Sequence, residues 1–225
     1  ELMLIDGKRV ESVSGRFIPV ENPSKKGQVI AEVPNANAED VNIAVAAAER
    51  AFKGWRRIPA RERGNILLKI ADAMDVEKED LARTIASENG NAIRTQARPE
   101  ALGACDRFRY YGGLGGEIKG TVYPSSDNML LYTRREPLGV VAGIIPWNAP
   151  VQLAAEKVVP ALVAGNTIVL KAASDAPIGV LKMASIANNF LPPGVLNVIT
   201  GRGEECGAAL AKHPSIRKIS MTGST

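Results

Sequence analysis

Apolar positions cluster most tightly over residues 138–145, where Leu138-Gly139-Val140-Val141-Ala142-Gly143-Ile144-Ile145 runs unbroken between Pro137 and Pro146. A run of that length without alternation predicts a strand buried on both faces, as in a parallel sheet. Trp147 and Asn148 follow, and Asn148 is the first polar side chain after the run. A polar amide at the carboxyl end of such a strand stands where open α/β sheets bind their ligands. Downstream the pattern changes period repeatedly. It predicts helices over 151–164, 178–190 and 204–213, separated by strands over 166–170, 195–200 and 216–221. This alternation means βαβ units, and hence an α/β fold built on an incomplete Rossmann-like parallel sheet with flanking helices.

Upstream of Pro137 the pattern is different. Residues 1–32 read as short strands and turns, with Asp6-Gly7 as a hairpin signal and Asn22-Pro23-Ser24 as a second turn. Asn37 is placed to cap a helix, with Asp40 in its first turn. That helix is expected to bury Val41, Val45, Ala48 and Phe52 and to end at Gly54. A second helix is expected over 59–74, with Ile66, Leu67, Ile70, Ala71 and Met74 on one face. Two more follow over 81–87 and 99–111, the latter stopped by Gly112-Gly113. Residues 120–136 read as a β-hairpin, with strands at 121–123 and 129–133 around Pro124-Ser125-Ser126-Asp127. The expected organisation is one incomplete domain. An N-terminal helical layer with a hairpin (1–137) wraps a βαβ half (138–225).

Composition narrows the function classes. With 45% apolar and 23% charged residues, a chain of 225 is ordinary for a soluble globular protein and buries roughly 70% of its unfolded surface. The +4 charge comes from 28 basic and 24 acidic residues that are interspersed, and only 4% of the chain is aromatic. That argues against nucleic acid as a partner and suits a small anionic ligand. Two cysteines and one histidine make no metal-spaced cluster, and no apolar run is long enough for a membrane span. No metal and no membrane partner are therefore expected, and the default setting is reduced and cytoplasmic.

Two stretches carry candidate chemistry. Gly201-Arg202-Gly203-Glu204-Glu205-Cys206-Gly207 sits between a predicted strand and a predicted helix, where glycines let backbone approach a ligand and a helix N-terminus favours an anion. A glycine-rich turn without a ligand reads equally well from so loose a motif. Lys171 ends the strand before it, placed either to bond a ribose or phosphate or simply to end the strand in solvent. Cys206 lies in the glycine turn, near a helix N-terminus that favours thiolate, whereas Cys105 falls mid-helix in the core.

In order along the chain, Arg135-Glu136-Pro137, Pro146-Trp147-Asn148, Leu170-Lys171, the glycine turn, His213-Pro214 and Thr222-Gly223-Ser224-Thr225 resemble the motifs of the aldehyde dehydrogenase superfamily. The likeness covers nearly all 225 residues, including Asn22-Pro23, the helix around Arg63 and Tyr110-Tyr111-Gly112. It implies a cofactor-binding portion for NAD or NADP in an enzyme that oxidises a small-molecule aldehyde through a cysteine thiohemiacetal and thioester. It further implies that Asn148 donates to the oxyanion and that Lys157 serves proton relay, although a surface helix lysine reads nearly as well. Ile144, Ile145, Pro146 and Trp147 are implied to flank the cofactor, and Lys171 and Ser174 to lie at its adenosine ribose. Gly203 and Gly207 would shape the adenine side, and Ser224 would touch the pyrophosphate.

The family's nucleophilic cysteine and general-base glutamate are expected beyond residue 225, and the complete enzyme is expected to be a homo-oligomer. Two departures stand out. Ala149 occupies a place usually aromatic, and Ser174 replaces the usual Glu, with Ala172 in place of Pro. A CoA-acylating relative and a non-catalytic nucleotide-binding fragment remain alternative readings at this point.

Overall fold

A computed structural model describes residues 1–223. The N-terminal hairpin forms where Asp6-Gly7 predicts it, joining β1 (Met3–Ile5) to β2 (Lys8–Val10). Asp6 and Gly7 both adopt positive φ (54° and 73°), as a two-residue type I′ turn requires. A second antiparallel pair, β3 (Phe17–Glu21) and β4 (Val29–Pro34), leads to α1 (Ala38–Trp55). Asn37 caps α1 by accepting from the N–H groups of Glu39 and Asp40, and Asp40 accepts in return from the Asn37 N–H.

Val41, Val45 and Ala48 are buried as the pattern predicts, but Phe52 is only half-buried. Gly54 does not end the helix either. α1 continues to Trp55, which is fully buried and donates its indole N–H to the Leu162 carbonyl at 3.1 Å. Burying an indole outweighs the roughly 1 kcal/mol that a helical glycine costs.

α2 (Ala60–Asn89) is a single helix of 30 residues where the pattern predicted two. The charged segment 75–80 lacks an apolar stripe but holds no breaker. Lys78–Asp75 and Arg83–Glu79 ion pairs line its outer side. Gly90, at φ 76°, ends the helix. A π-helical turn (Ile93–Ala97) then opens α3 (Arg98–Gly113). Gly112 and Gly113 stay inside α3 rather than stopping it. At the α2 crossing Gly112 allows close approach, for a Cβ there would lie 3.0 Å from the Gly64 carbonyl, whereas Gly113 faces open space. The hairpin of β5 (Val122–Tyr123) and β6 (Leu131–Tyr132) follows.

From there the predicted alternation holds: β7 (Val140–Ile144), α4 (Pro150–Val163), β8 (Thr167–Lys171), α5 (Ile178–Asn188), β9 (Leu196–Ile199), α6 (Ala208–Lys212) and β10 (Ile216–Met221). α6 is shorter than the predicted 204–213, because Gly203–Gly207 is a π-helical turn. The sheet order is β10-β7-β8-β9-β1-β2, parallel from β10 to β9. The N-terminal hairpin thus extends the Rossmann-like sheet, with Leu4 pairing antiparallel to Val198.

Each sheet face carries a core. Ile168 and Leu170 pack with Leu67, Ile70, Phe108, Val158 and Leu162 beneath α2–α5, whereas Val169 joins Met3, Ile5, Val41, Val45 and Ile199 beneath α1. Residues 168–170 alternate between the two layers, which is why the run had to be apolar throughout.

Candidate functional site

The carboxyl ends of β7, β8 and β9 lie side by side and gather most of the residues singled out above. β7 ends at Ile144, and the Ile145 N–H donates to the Lys171 carbonyl at 3.3 Å, holding the start of the loop against β8. Ile144 is half-buried and Ile145 is sealed in the core. The chain then crosses the sheet edge through Pro146, Trp147, Asn148 and Ala149 before α4 begins. Trp147 is 54% exposed, Asn148 is exposed, and Ala149 is half-buried. Main-chain groups of this loop are held by side chains from outside it. The Asn89 amide donates to the Trp147 carbonyl at 3.5 Å and the Asn91 amide to the Asn148 carbonyl at 3.0 Å.

Lys171 closes β8. It is buried, and its Nζ donates to the Ala172 carbonyl at 3.1 Å. Burial lowers the pKa of this ammonium, with Cys206 and Asp175 pulling the other way. Ser174 follows in the β8–α5 loop and donates its hydroxyl to the Gly201 carbonyl at 3.0 Å, so this loop is tied to the glycine turn after β9.

Within that turn the glycine that the geometry demands is Gly201, at φ 150°. A Cβ there would lie 2.9 Å from the Cys206 Cβ and 3.0 Å from the Ala36 carbonyl. Gly203 is open, with nothing within 4 Å of a Cβ, and at Gly207 a Cβ would only reach ordinary contact with the Lys171 stem. Lys171 thus lies against Gly207 and Ser174 against Gly201, while Gly203 is an open position of the same turn. Ser224 lies outside the described residues.

Cys206, near a helix N-terminus that could favour thiolate though not expected to be the nucleophile, gains no such activation. Its thiol is buried and pushed up to about 12, because desolvation outweighs the nearby Lys171. It is a neutral core thiol, not an activated one. Cys105 behaves as predicted for a core residue, buried and pushed up to about 11.

Lys157 stands apart from Lys171, between α4 and β10. Its Nζ donates to the hydroxyls of Thr222 at 2.7 Å and Ser220 at 3.3 Å, and burial lowers its pKa. Its stem passes over Gly143, where a Cβ would lie 3.4 Å from the Lys157 Cδ.

Two buried carboxylates behind the Asn148 loop were not singled out in the sequence. Glu100 on α3 accepts the Val151 N–H at 2.9 Å, and Glu88 at the end of α2 accepts the N–H groups of Ile178 (2.6 Å) and Gly179 (2.9 Å). Burial pushes Glu88 up to about 8 against the pull of those two N–H groups, with Glu100 adding to the rise. Burial likewise raises Glu100. A signal for them exists. Glu88 continues the Leu81, Ile85 stripe, and Glu100 falls among Ala97, Ala101, Ala104 and Phe108, so both sit on apolar helix faces.

A cleft of about 600 Å³ lined by Arg50, Lys53, Leu138, Val140 and Arg217 opens at the opposite, amino-terminal end of β7 and β10. Volume alone therefore does not mark the site. Among the described residues no cluster of His, Cys, Asp or Glu could hold a metal ion, and no helix is long and apolar enough to cross a membrane.

A parallel sheet with a polar loop, a buried lysine and a glycine turn at its carboxyl edge defines an α/β domain of the nucleotide-binding kind. The model of the Aldehyde dehydrogenase family matches residues 10–225. An acetaldehyde dehydrogenase of Pseudomonas aeruginosa is 44% identical over 221 residues, which cover 98% of this chain and 44% of that protein. The structure of PnpE in complex with nicotinamide adenine dinucleotide superposes with a TM-score of 0.96 at 41% identity, over 100% of this chain and 46% of that one. An E. coli NADP-dependent enzyme gives a TM-score of 0.95 at 35% identity, over 99% of this chain and 46% of that one. The chain belongs to the aldehyde dehydrogenase family. It spans a little under half the length of these relatives.

Proposed function

We propose that the protein containing this chain oxidises an aldehyde to a carboxylic acid with NAD or NADP, and that the chain holds the cofactor and supplies one oxyanion donor. The observation that carries this is the meeting of Asn148, Lys171 and the Gly201 turn at one sheet edge, in a chain of this family. Relatives whose structures hold nicotinamide adenine dinucleotide or are named NADP-dependent support the cofactor class.

The residues present fit such a group. Lys171 is a buried ammonium that commits one hydrogen to Ala172, leaving donors for ribose hydroxyls or phosphate. The open backbone at Gly203 suits a flat ring or a phosphate approaching the turn. Trp147 and Pro146 would flank the cofactor with side chains. Ile145, sealed in the core, has only its main chain to offer. Such a cofactor would supply the hydride acceptor for the reacting carbon. Asn148, exposed at the same sheet edge, would donate its amide to the oxygen on which negative charge develops. Lys157 is proposed to hold or pass a proton through the hydroxyls of Thr222 and Ser220. The hairpin of β5 and β6 presents exposed Val122, Leu131 and Tyr132, which supports homo-oligomer assembly through that ribbon.

The complete enzyme is expected to reduce NAD or NADP only when an aldehyde is supplied, releasing free acid without CoA. An absolute requirement for CoA would replace the hydrolytic reading with acyl transfer.

Cofactor choice rests on Ser174. A glutamate at this place would repel the additional phosphate of NADP, whereas serine does not. Two unit charges 4 Å apart interact by about 4 kcal/mol at an effective dielectric of 20, and a third of that survives solvent access as about tenfold in affinity. Ser174→Glu is thus expected to raise the Kd ratio of NADP to NAD by about tenfold. Loss of the Ser174–Gly201 hydrogen bond affects both cofactors alike and cancels in the ratio. Titrating wild type and variant with both cofactors checks this, and an unchanged ratio would place Ser174 away from the phosphate.

A further inference from the structure

α4 and α5 share an anomaly at their amino ends. α4 follows Ala149 and α5 follows Pro177, and neither residue caps its helix with a side chain. Uncapped, the first N–H groups of a buried helix lack partners, at a cost of about 1–3 kcal/mol each. The missing caps come from other helices. Glu100 on α3 serves Val151 at the start of α4, and Glu88 on α2 serves Ile178 and Gly179 at the start of α5. Gly179 makes room for this, since a Cβ there would lie 2.9 Å from both the Glu88 carboxylate and Val151.

The α4 cap sits three residues beyond Asn148. The loop between Pro146 and Pro150 has few ways to fix itself, because neither proline has an N–H to give. Asn148 is exposed, and its side-chain amide makes no hydrogen bond within 3.5 Å among the described residues. The main chain is nevertheless held at Asn148 itself and again at Val151. The Asn91 amide grips its carbonyl at 3.0 Å, and Glu100 grips the Val151 N–H at 2.9 Å. Asn91 is itself set in place, its N–H donating to the Asn89 side chain at 2.8 Å, and its amide neighbours the Glu100 carboxylate. An oxyanion donor works only if it is aimed before charge develops, since reorienting it during reaction would consume the gain.

We infer that Asn91, in the α2–α3 connection, and Glu100, on α3, are positioning residues that clamp the main chain at Asn148 and at Val151 and so aim the Asn148 amide at the oxyanion. This rests on the proposed role of Asn148.

The test uses the complete enzyme and reads the pre-steady-state burst of reduced cofactor, which reports acylation. Asn91 lies half-exposed at the start of a connection, so Asn91→Ala leaves the fold intact. It is expected to slow the burst by about tenfold, roughly one well-made hydrogen bond to a loop, without changing the KM for cofactor. Asn91→Gln, which keeps an amide donor, should recover most of that loss. Introduced into Asn148→Ala, Asn91→Ala should cost nothing further, because residues acting through one group are not additive. Glu100→Leu, which removes the acceptor of the Val151 N–H, should behave the same way, and if it does not fold the Asn91 variants decide alone.

Equal slowing by Asn91→Ala in the presence and absence of Asn148 would overturn the clamp, as would no slowing at all. If Asn148→Ala itself bursts at the wild-type rate, the oxyanion role fails and the clamp with it. If Asn148→Ala is crippled while Asn91→Ala and Glu100→Leu are not, only the clamp fails.

Discussion

Replacing Asn148 by alanine is expected to lower the acylation rate of the complete enzyme by about 10²–10³-fold, the usual cost of one lost oxyanion donor. Cofactor affinity should stay nearly unchanged, because the main chain of the loop is held by Asn91 and Glu100 rather than by the deleted amide. The cavity left is at an exposed position, so stability should hardly move. The measurement is the hydride burst under saturating aldehyde, since steady-state turnover reports whichever step is slowest. Weak cofactor binding with a preserved burst would make Asn148 a cofactor residue instead.

The largest stability effect is expected at Asp40. Its carboxylate is buried and accepts three hydrogen bonds, from the Ser12 hydroxyl (2.7 Å), the Val13 N–H (3.0 Å) and the Asn37 N–H (2.9 Å). It closes the capping box of α1 and ties the 12–14 turn to it. Asp40→Ala would remove the reciprocal half of the capping box and leave the part-buried Val13 and Asn37 N–H groups without their acceptor, for about 3 kcal/mol in total. For a domain of this size that corresponds to a fall in Tm of about 10 °C. The damage should spread to the glycine turn, because the Ala36 N–H donates to the Thr200 carbonyl and the Arg202 N–H to the Asn35 side chain. Asp40→Asn keeps one acceptor and should lose about half as much. A Tm within a degree or two of wild type for Asp40→Ala would show that water replaces the carboxylate there.

What could be read in the chain follows from what is local. The unbroken apolar runs of β7 and β8 and the 3.6-residue stripe of α4 are properties of short windows, and they appear where the pattern places them. The same holds for the Asp6-Gly7 turn, where dihedral preference acts within two residues. Long-range pairing leaves no such trace. Nothing near Leu4 announces that its partner is Val198, so the sheet's antiparallel extension was not legible. α2 was split because charge hides periodicity, yet Glu and Lys are good helix formers and the segment needed no apolar face of its own.

At the site, Asn148 and Lys171 could be picked out because each is polar directly after an apolar strand. Glu88 and Glu100 are acidic residues on helices, ordinarily a solvated face. Their role comes wholly from burial against two uncapped helix starts.

The pairing of β1 with β9 also sets a clock for synthesis. The Asp6 N–H donates to the Asn197 side chain, 191 positions further along. At about 5–20 residues per second, the ribosome needs roughly 10–40 s to deliver that partner after β1 has emerged. For that interval Met3, Leu4 and Ile5, all buried in the finished fold, belong to a strand paired with β2 on one edge and open on the edge that β9 will cover. The hairpin of β1 and β2 should therefore be cut by protease in nascent chains whose β9 is still inside the exit tunnel and become resistant once β9 has left it, with chaperones engaging β1 in between.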